Sequence, residues 1–122
     1  MDSEGYLNKG LRLANKLKFD EAIEFYDKAL ELDPSNAAAY LNKGLLLKAK
    51  GKLKQAIECY DKVIQLAPDY TAEPVLLSEF SSTYEKMGEY KKAIACYEKA
   101  ITADPANADF YRTTILKIKR KL

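Results

Sequence analysis

The chain has 122 residues, of which 48% are hydrophobic and 31% charged, with a net charge of +2 and no histidine. This length and apolar content suit one domain, and the small net charge gives no indication of nucleic-acid or membrane binding. The lack of histidine excludes His-dependent general-base and triad chemistry, and no phosphate loop or metal-spaced Cys/His cluster is present. We therefore expect neither enzyme activity nor a cofactor. No signal peptide or membrane-spanning apolar run is found, so a cytoplasmic location is the default expectation.

An internal repeat organises the chain. The pattern of residues 6–10 and 21–28 recurs 34 residues later, and its second half recurs again, 37 residues further, at 92–99. A fixed period in this range is typical of stacked supersecondary units, which expose an extended surface. The spacing predicts one domain that divides as follows: repeat one 3–36, repeat two 37–70, an insertion 71–73, repeat three 74–107 and a capping helix 108–122.

Each repeat is predicted to form two helices, because its apolar residues follow helical spacing. Small residues recur where the two helices face each other, and they would let the backbones approach closely. These are Gly10, Gly44 and Ser81 in the first helices and Ala22, Ala56 and Ala93 in the second.

The turn inside each repeat follows its first helix. Gly51 and Gly88 stand at this turn, where a left-handed cap conformation favours glycine. Leu17 has the equivalent place in repeat one, which predicts a strain of roughly 1 kcal/mol.

The insertion is close to one helical turn in length. Thr71 is a candidate N-cap, and Pro74 would then lie in the first turn of its helix. The third repeat is therefore predicted to begin its first helix one turn early, and a loose loop is the alternative.

The last segment is predicted to be a single capping helix. Tyr111, Ile115, Ile118 and Leu122 would form its buried stripe. Ile115 stands where the repeats have Gly or Ser, so no further helix is expected to pack there.

These residues resemble the tetratricopeptide repeat (TPR) family over nearly the whole chain. Repeat two carries the family pattern as Tyr40, Gly44, Leu47, Ala56, Tyr60, Val63 and Pro68, and the other two repeats match it in register. The resemblance implies an all-α fold: a right-handed superhelical stack of antiparallel helix pairs, with seven helices. Lys9 and Lys43 depart from the pattern, where the family usually has leucine. We expect their methylenes to cover the core and their ammonium groups to reach water.

The resemblance also implies a concave groove, lined by the first helices, that binds a peptide or a helical segment of a protein partner. The candidate peptide-binding residues are Leu7, Asn8, Leu11, Leu41, Asn42, Leu45, Lys48, Ser78, Glu79, Ser82 and Arg112. The four leucines are surplus to the packing stripe and are predicted to form an apolar patch, although they would alternatively only widen the buried arc. Asn8 and Asn42 are predicted to bind the backbone amides of the partner.

Some TPR domains clamp the C-terminal carboxylate of chaperones in this groove. Asn42 matches one clamp position, but Leu7, Leu11, Val75 and Glu79 replace the cations and amide of the others. Glu79 would repel a carboxylate, so we do not expect this ligand.

An alternative remains open for the two cysteines, and another for the charged ends of the chain. Cys59 and Cys96 occupy the same slot of consecutive repeats, on the order of 10 Å apart, so small apolar thiols are expected and a redox pair is the alternative. Residues 1–36 carry a net charge of −3 and residues 108–122 a net charge of +4. The basic end is expected to be solvated, and head-to-tail self-association into a homo-oligomer is the alternative to the adaptor function.

Overall fold

A computed structural model describes residues 1–69 and 73–122 of the chain. These residues form seven α-helices and no strand: α1 Ser3–Asn15, α2 Phe19–Leu32, α3 Ala37–Ala49, α4 Leu53–Leu66, α5 Pro74–Lys86, α6 Tyr90–Ala103 and α7 Ala108–Lys119. A 3-10 turn at Pro105–Asn107 precedes α7. The predicted insertion lies largely outside the described residues, and the predicted repeat boundaries stay a prediction.

The helices group into two compact units, Met1–Leu66 and Ala67–Leu122. In the first unit α1 pairs with α2 and α3 pairs with α4, while α3 also packs on α1 and α2. In the second unit α6 packs against both α5 and α7. Each unit therefore buries apolar surface between neighbouring helices, as stacked repeats do.

The predicted close approach between paired helices is confirmed in the first unit. A Cβ atom added to Gly10 would lie 2.5 Å from the Tyr26 ring, and one added to Gly44 would lie 2.8 Å from the Tyr60 ring. Such distances are far below van der Waals contact, so only glycine fits at either position.

Ser81 fills the same position in the second unit. It is fully buried, and its Oγ has no hydrogen-bond partner among the described residues. The hydroxyl is accommodated sterically, but its burial carries an uncompensated desolvation cost.

The turns within the hairpins confirm the prediction for their left-handed residues. The φ angles of Leu17, Gly51 and Gly88 are +62°, +79° and +76°. Each turn closes with a backbone bond that skips back five residues, from Lys18 N to Leu13 O at 2.9 Å in the first hairpin. This bond satisfies one of the carbonyl groups at the end of α1.

The start of α5 differs from the prediction. The helix begins at Pro74, and Glu73 is its N-cap residue in extended backbone, so α5 does not begin a turn early. Proline is well suited to this first position because its missing N–H would have no intrahelical partner. Thr71, the predicted N-cap, lies outside the described residues.

The end of α7 also differs. Tyr111, Ile115 and Ile118 are buried as predicted, but the prediction for Leu122 is wrong, because that side chain is 66% exposed. The helix ends at Lys119, so the helical periodicity used to place Leu122 on the buried stripe does not extend to it.

Candidate functional site

The candidate surface in the first unit lies on α1 and α3, which contact each other. Leu11, Leu41 and Leu45 are half-buried, and Asn8 is exposed. Helical spacing puts Leu41 and Leu45 on one face of α3 and Asn8 and Leu11 on one face of α1. The two helices thus present partly accessible leucines with a polar amide beside them.

Leu7 is a correction to the predicted apolar patch. Its side chain is only 7% exposed and joins a core cluster with Ala22, Tyr26, Ala29 and Ala39. Ala39 comes from α3, so Leu7 fills the space between the first helices of consecutive hairpins. It widens the buried arc, which was the alternative interpretation of the leucines.

Asn42 is half-buried, and part of its amide is already used. Its Nδ2 donates to the carbonyl of Ala38 one turn earlier, at 2.8 Å. The carbonyl oxygen of the side chain is therefore the atom of Asn42 that suits a partner's N–H group. Lys48, further along α3, is half-buried.

The candidates of the second unit lie on α5 and α7. Ser78 is exposed, Glu79 and Ser82 are half-buried, and Arg112 is exposed and pairs with Asp109 at 3.5 Å. Val75 and Leu116, on the same two helices, are 75% and 59% exposed. This unit offers isolated apolar side chains among polar ones rather than a leucine patch.

Both cysteines are free and buried, as predicted for small apolar residues. Burial raises the pKa of the Cys59 thiol to about 11, with neighbouring Lys43 opposing the shift and Asp27 adding to it. The thiol is therefore protonated at neutral pH and suited to packing rather than to nucleophilic chemistry.

A cavity on the second hairpin was not foreseen from the sequence. Its volume is about 610 Å³, and α3 and α4 supply its walls, including Tyr40, Lys43 and Cys59. The sequence feature that could have indicated this cavity is Cys59, which stands where repeat one has the larger Phe25.

Lys9 is exposed, as expected, whereas Lys43 is half-buried. Lys9 Nζ lies 4.6 Å from the centre of the Phe25 ring, and Lys43 Nζ pairs with Asp27 at 2.6 Å. Burial by itself lowers the pKa of Lys43, but the hydrogen bond and charge of Asp27 raise it above the ordinary value overall. Lys43 therefore remains cationic at neutral pH.

Two general properties of the described residues bear on function. No group of three or more His, Cys, Asp or Glu side chains in ranges 1–69 and 73–122 is arranged to hold a metal ion. None of the helices in these ranges is both long and apolar enough to cross a bilayer.

Solved structures share this fold. The first TPR domain of Spaghetti (RPAP3), bound to the HSP90 peptide SRMEEVD, has a TM-score of 0.79 and 22% identity, covering 98% of this chain and 92% of that one. The Sgt2 TPR domain from Aspergillus fumigatus has a TM-score of 0.73 and 25% identity, with coverages of 98% and 78%. YrrB, described as a TPR protein with an unusual peptide-binding site, has a TM-score of 0.80 and 26% identity, and the match covers 93% of this chain but 57% of YrrB.

Sequence comparisons agree with the structures. No curated protein matches the chain. The family model described as tetratricopeptide repeat matches residues 35–106, and one described as TPR repeat matches residues 10–51. The first match alone covers more than half of the chain, the described residues are all-α as predicted, and the chain belongs to the tetratricopeptide repeat family.

Proposed function

We propose that the chain is a non-enzymatic, cytoplasmic protein-interaction module that binds a peptide or short helical segment through the first helices of its hairpins. The observation that carries the proposal is the row of partly accessible leucines on α1 and α3, Leu11, Leu41 and Leu45, with exposed Asn8 beside them. An accessible apolar patch with polar neighbours is typical of an interaction site. The peptides bound by similar TPR domains support this class of ligand.

Each group on this surface has a distinct part in the proposed complex. The three leucines receive apolar side chains of the partner, while the Asn8 amide donates to and accepts from its backbone. Asn42 contributes its carbonyl oxygen, because its Nδ2 is held by Ala38 O. Since the helices are already packed in place, ordering on binding falls mainly on the partner.

The proposed ligand is not an acidic chaperone tail. Leu7 is buried and Leu11 is half-buried, and both are apolar, so neither supplies the Lys or Asn of a carboxylate clamp. In the second unit Val75 and Glu79 stand in place of the clamp's Lys and Arg. We expect the peptide SRMEEVD to show no saturable binding in isothermal calorimetry.

A displayed library of random linear peptides tests the proposal directly. Peptides selected on the wild-type chain are expected to carry two or more apolar residues and to shift amide resonances of α1 and α3 in two-dimensional NMR. Leu41→Lys should weaken the selected peptides by at least about tenfold, because it places a charge where an apolar side chain docks.

Leu7→Ala is the matched control, since Leu7 is buried rather than accessible. It should lower stability by about 3 kcal/mol, whereas Leu41→Lys should change it by less than about 1 kcal/mol. The proposal is wrong if no peptide is enriched, if the selected peptides bind the Leu41→Lys variant as tightly, or if this variant melts as early as Leu7→Ala.

A further inference from the structure

The cavity of the second hairpin is explained by comparison with the first hairpin. The 34-residue offset aligns Tyr6, Lys9, Phe25 and Lys28 with Tyr40, Lys43, Cys59 and Lys62. Three of the four positions keep their residue type, and the fourth exchanges a phenyl ring for a thiol. The two hairpins therefore share a tyrosine and two lysines but differ at the fourth position, Phe25 in the first and Cys59 in the second.

In the first hairpin the tyrosine and the two lysines surround an aromatic ring. The ring of Phe25 stacks on that of Tyr6, with centroids 6.0 Å apart. The ammonium groups of Lys9 and Lys28 lie 4.6 and 4.8 Å from the Phe25 ring centre. Stacking and cation–π attraction both stabilise a ring in such a position.

In the second hairpin the ring is missing, and Lys43 pairs with Asp27 instead of lying over a ring. Tyr40, Lys43, Cys59 and Lys62 all line the cavity of about 610 Å³. The third hairpin also has a cysteine in this slot, Cys96, but Phe80 stands at the position of Lys43 and is fully buried. Each hairpin except the second thus has a phenylalanine at one of these two positions.

The charge around the cavity also differs from that of the first hairpin. Lys54 lines the cavity where the first hairpin has Asp20. Lys54 and Lys62 are exposed, so their ammonium groups are accessible from solvent, and Glu58 is the acidic residue of the lining. Lys43 is neutralised by Asp27 at 2.6 Å. With Glu58 counted against Lys54 and Lys62, the rim carries a net charge of +1, which favours a negatively charged partner.

We propose that this cavity binds an aromatic side chain of a partner peptide that is flanked by acidic residues. The ring takes the position that Phe25 has in the first hairpin, against Tyr40 and over Cys59, and the acidic neighbours pair with Lys54 and Lys62. The volume lies within the range of ligand pockets. This site shares no residue with the leucine surface of α1 and α3, so the two proposals stand or fall separately.

Three blocked pentapeptides serve as probes: Asp-Glu-Phe-Glu-Asp, the same peptide with Ala for Phe, and Lys-Lys-Phe-Lys-Lys. In NMR titrations the first is expected to shift resonances of α3 and α4 around Tyr40 and Cys59. Its affinity should exceed that of the other two by about tenfold, and 0.5 M salt should weaken it because the rim charges are exposed.

Two variants locate the binding. Cys59→Phe places a ring in the cavity, as in the first hairpin, and is expected to reduce affinity for the first probe by at least about tenfold. The double variant Lys54→Glu, Lys62→Glu changes only exposed side chains and should reduce it by a similar factor, so it decides the matter if Cys59→Phe does not fold. Equal affinity of the Phe and Ala probes, shifts confined to the leucine surface, or unchanged binding to the folded variants would each overturn the proposal.

Discussion

Leu17 holds a backbone conformation that the other two hairpins assign to glycine. Its φ of +62° lies in the left-handed region, where a Cβ atom crowds the carbonyl, and its side chain is 77% exposed. Leu17→Gly therefore relieves strain without removing a buried contact. We expect a gain in stability of about 0.5–1 kcal/mol by urea denaturation, after the greater entropy of glycine in the unfolded chain is subtracted.

Gly51→Ala is the complementary change. A Cβ atom at Gly51 meets no other atom within 4 Å, so the variant adds backbone strain without a steric clash. It should lose about 0.5–1 kcal/mol, because the lower entropy of alanine in the unfolded chain offsets part of the strain. A Leu17→Gly variant no more stable than wild type would refute this account of the turn.

Ser81 presents a buried hydroxyl without a hydrogen-bond partner. Ser81→Ala removes the desolvation cost and should raise the free energy of unfolding by about 1 kcal/mol. Ser78→Ala, on the exposed side of the same helix, measures the gain from helix propensity alone, which is about 0.5 kcal/mol. An effect at position 81 no larger than that at 78 would show that the hydroxyl is satisfied in solution.

Cys59 is expected to make the protein less stable at alkaline pH. Its thiol pKa is raised to about 11 by burial, from an ordinary value near 9. Below pH 9 the thiol is protonated in both states, but between pH 9 and 11 the unfolded state releases the proton first. The free energy of unfolding should therefore fall with rising pH, by at most about 1.4 kcal/mol per pH unit for one proton.

Cys59→Ala provides the control for that titration. Tyr26, Tyr97 and Tyr111, whose pKa values burial also raises, add to the loss at the upper end of the range. The variant should therefore keep part of the slope. If urea titrations at pH 8 to 10 give the same slope for both proteins, the thiol does not titrate as described.

At the scale of the helices, the sequence predicted which helices approach closely, but it did not predict whether a leucine at the edge of a buried face is exposed. The spacing of Gly10, Gly44 and the facing alanines predicted which backbones approach closely. A small residue where two helices cross mainly serves to let their backbones come together. The resemblance to the TPR family placed Leu7 on the groove face, although it is buried against Ala39 of the next hairpin. Whether a leucine at the edge of a helical stripe is covered depends on a neighbouring hairpin, which the periodicity of a single helix does not encode.

The cavity was likewise only partly predictable from the sequence. The sequence places Cys59 in register with Phe25, but the space left by the smaller side chain depends on whether the surrounding helices close over it. Here Tyr40, Lys43 and Cys59 line a cavity, so the helices do not close over the space.

Helix α7 covers apolar surface of α6. The Tyr111 ring lies 6.2 Å from that of Tyr97, its hydroxyl donates to Asp104 Oδ2 at 2.9 Å, and Ile118 is fully buried. A chain ending at residue 107 would expose this surface, so we expect a melting temperature at least about 8 °C lower and light scattering that indicates association. Removal of residues 120–122, which are exposed, should leave both unchanged, and a well-behaved 1–107 chain would show that α7 is dispensable.

For the molecule as a whole, the opposite charges of its ends suggest head-to-tail association, but several of them are paired within the chain. Lys121 pairs with Glu85 at 3.4 Å, Arg112 pairs with Asp109, and Asp20 pairs with Lys50. Charges already paired gain less from a second copy, and exposed pairs contribute little in any case. We therefore expect a monomer of 13.8 kDa by sedimentation at both 20 and 300 mM salt. A mass that grows with concentration at low salt and returns to the monomer at high salt would instead support self-assembly, because a heterologous contact between unlike ends does not close and is weakened by screening.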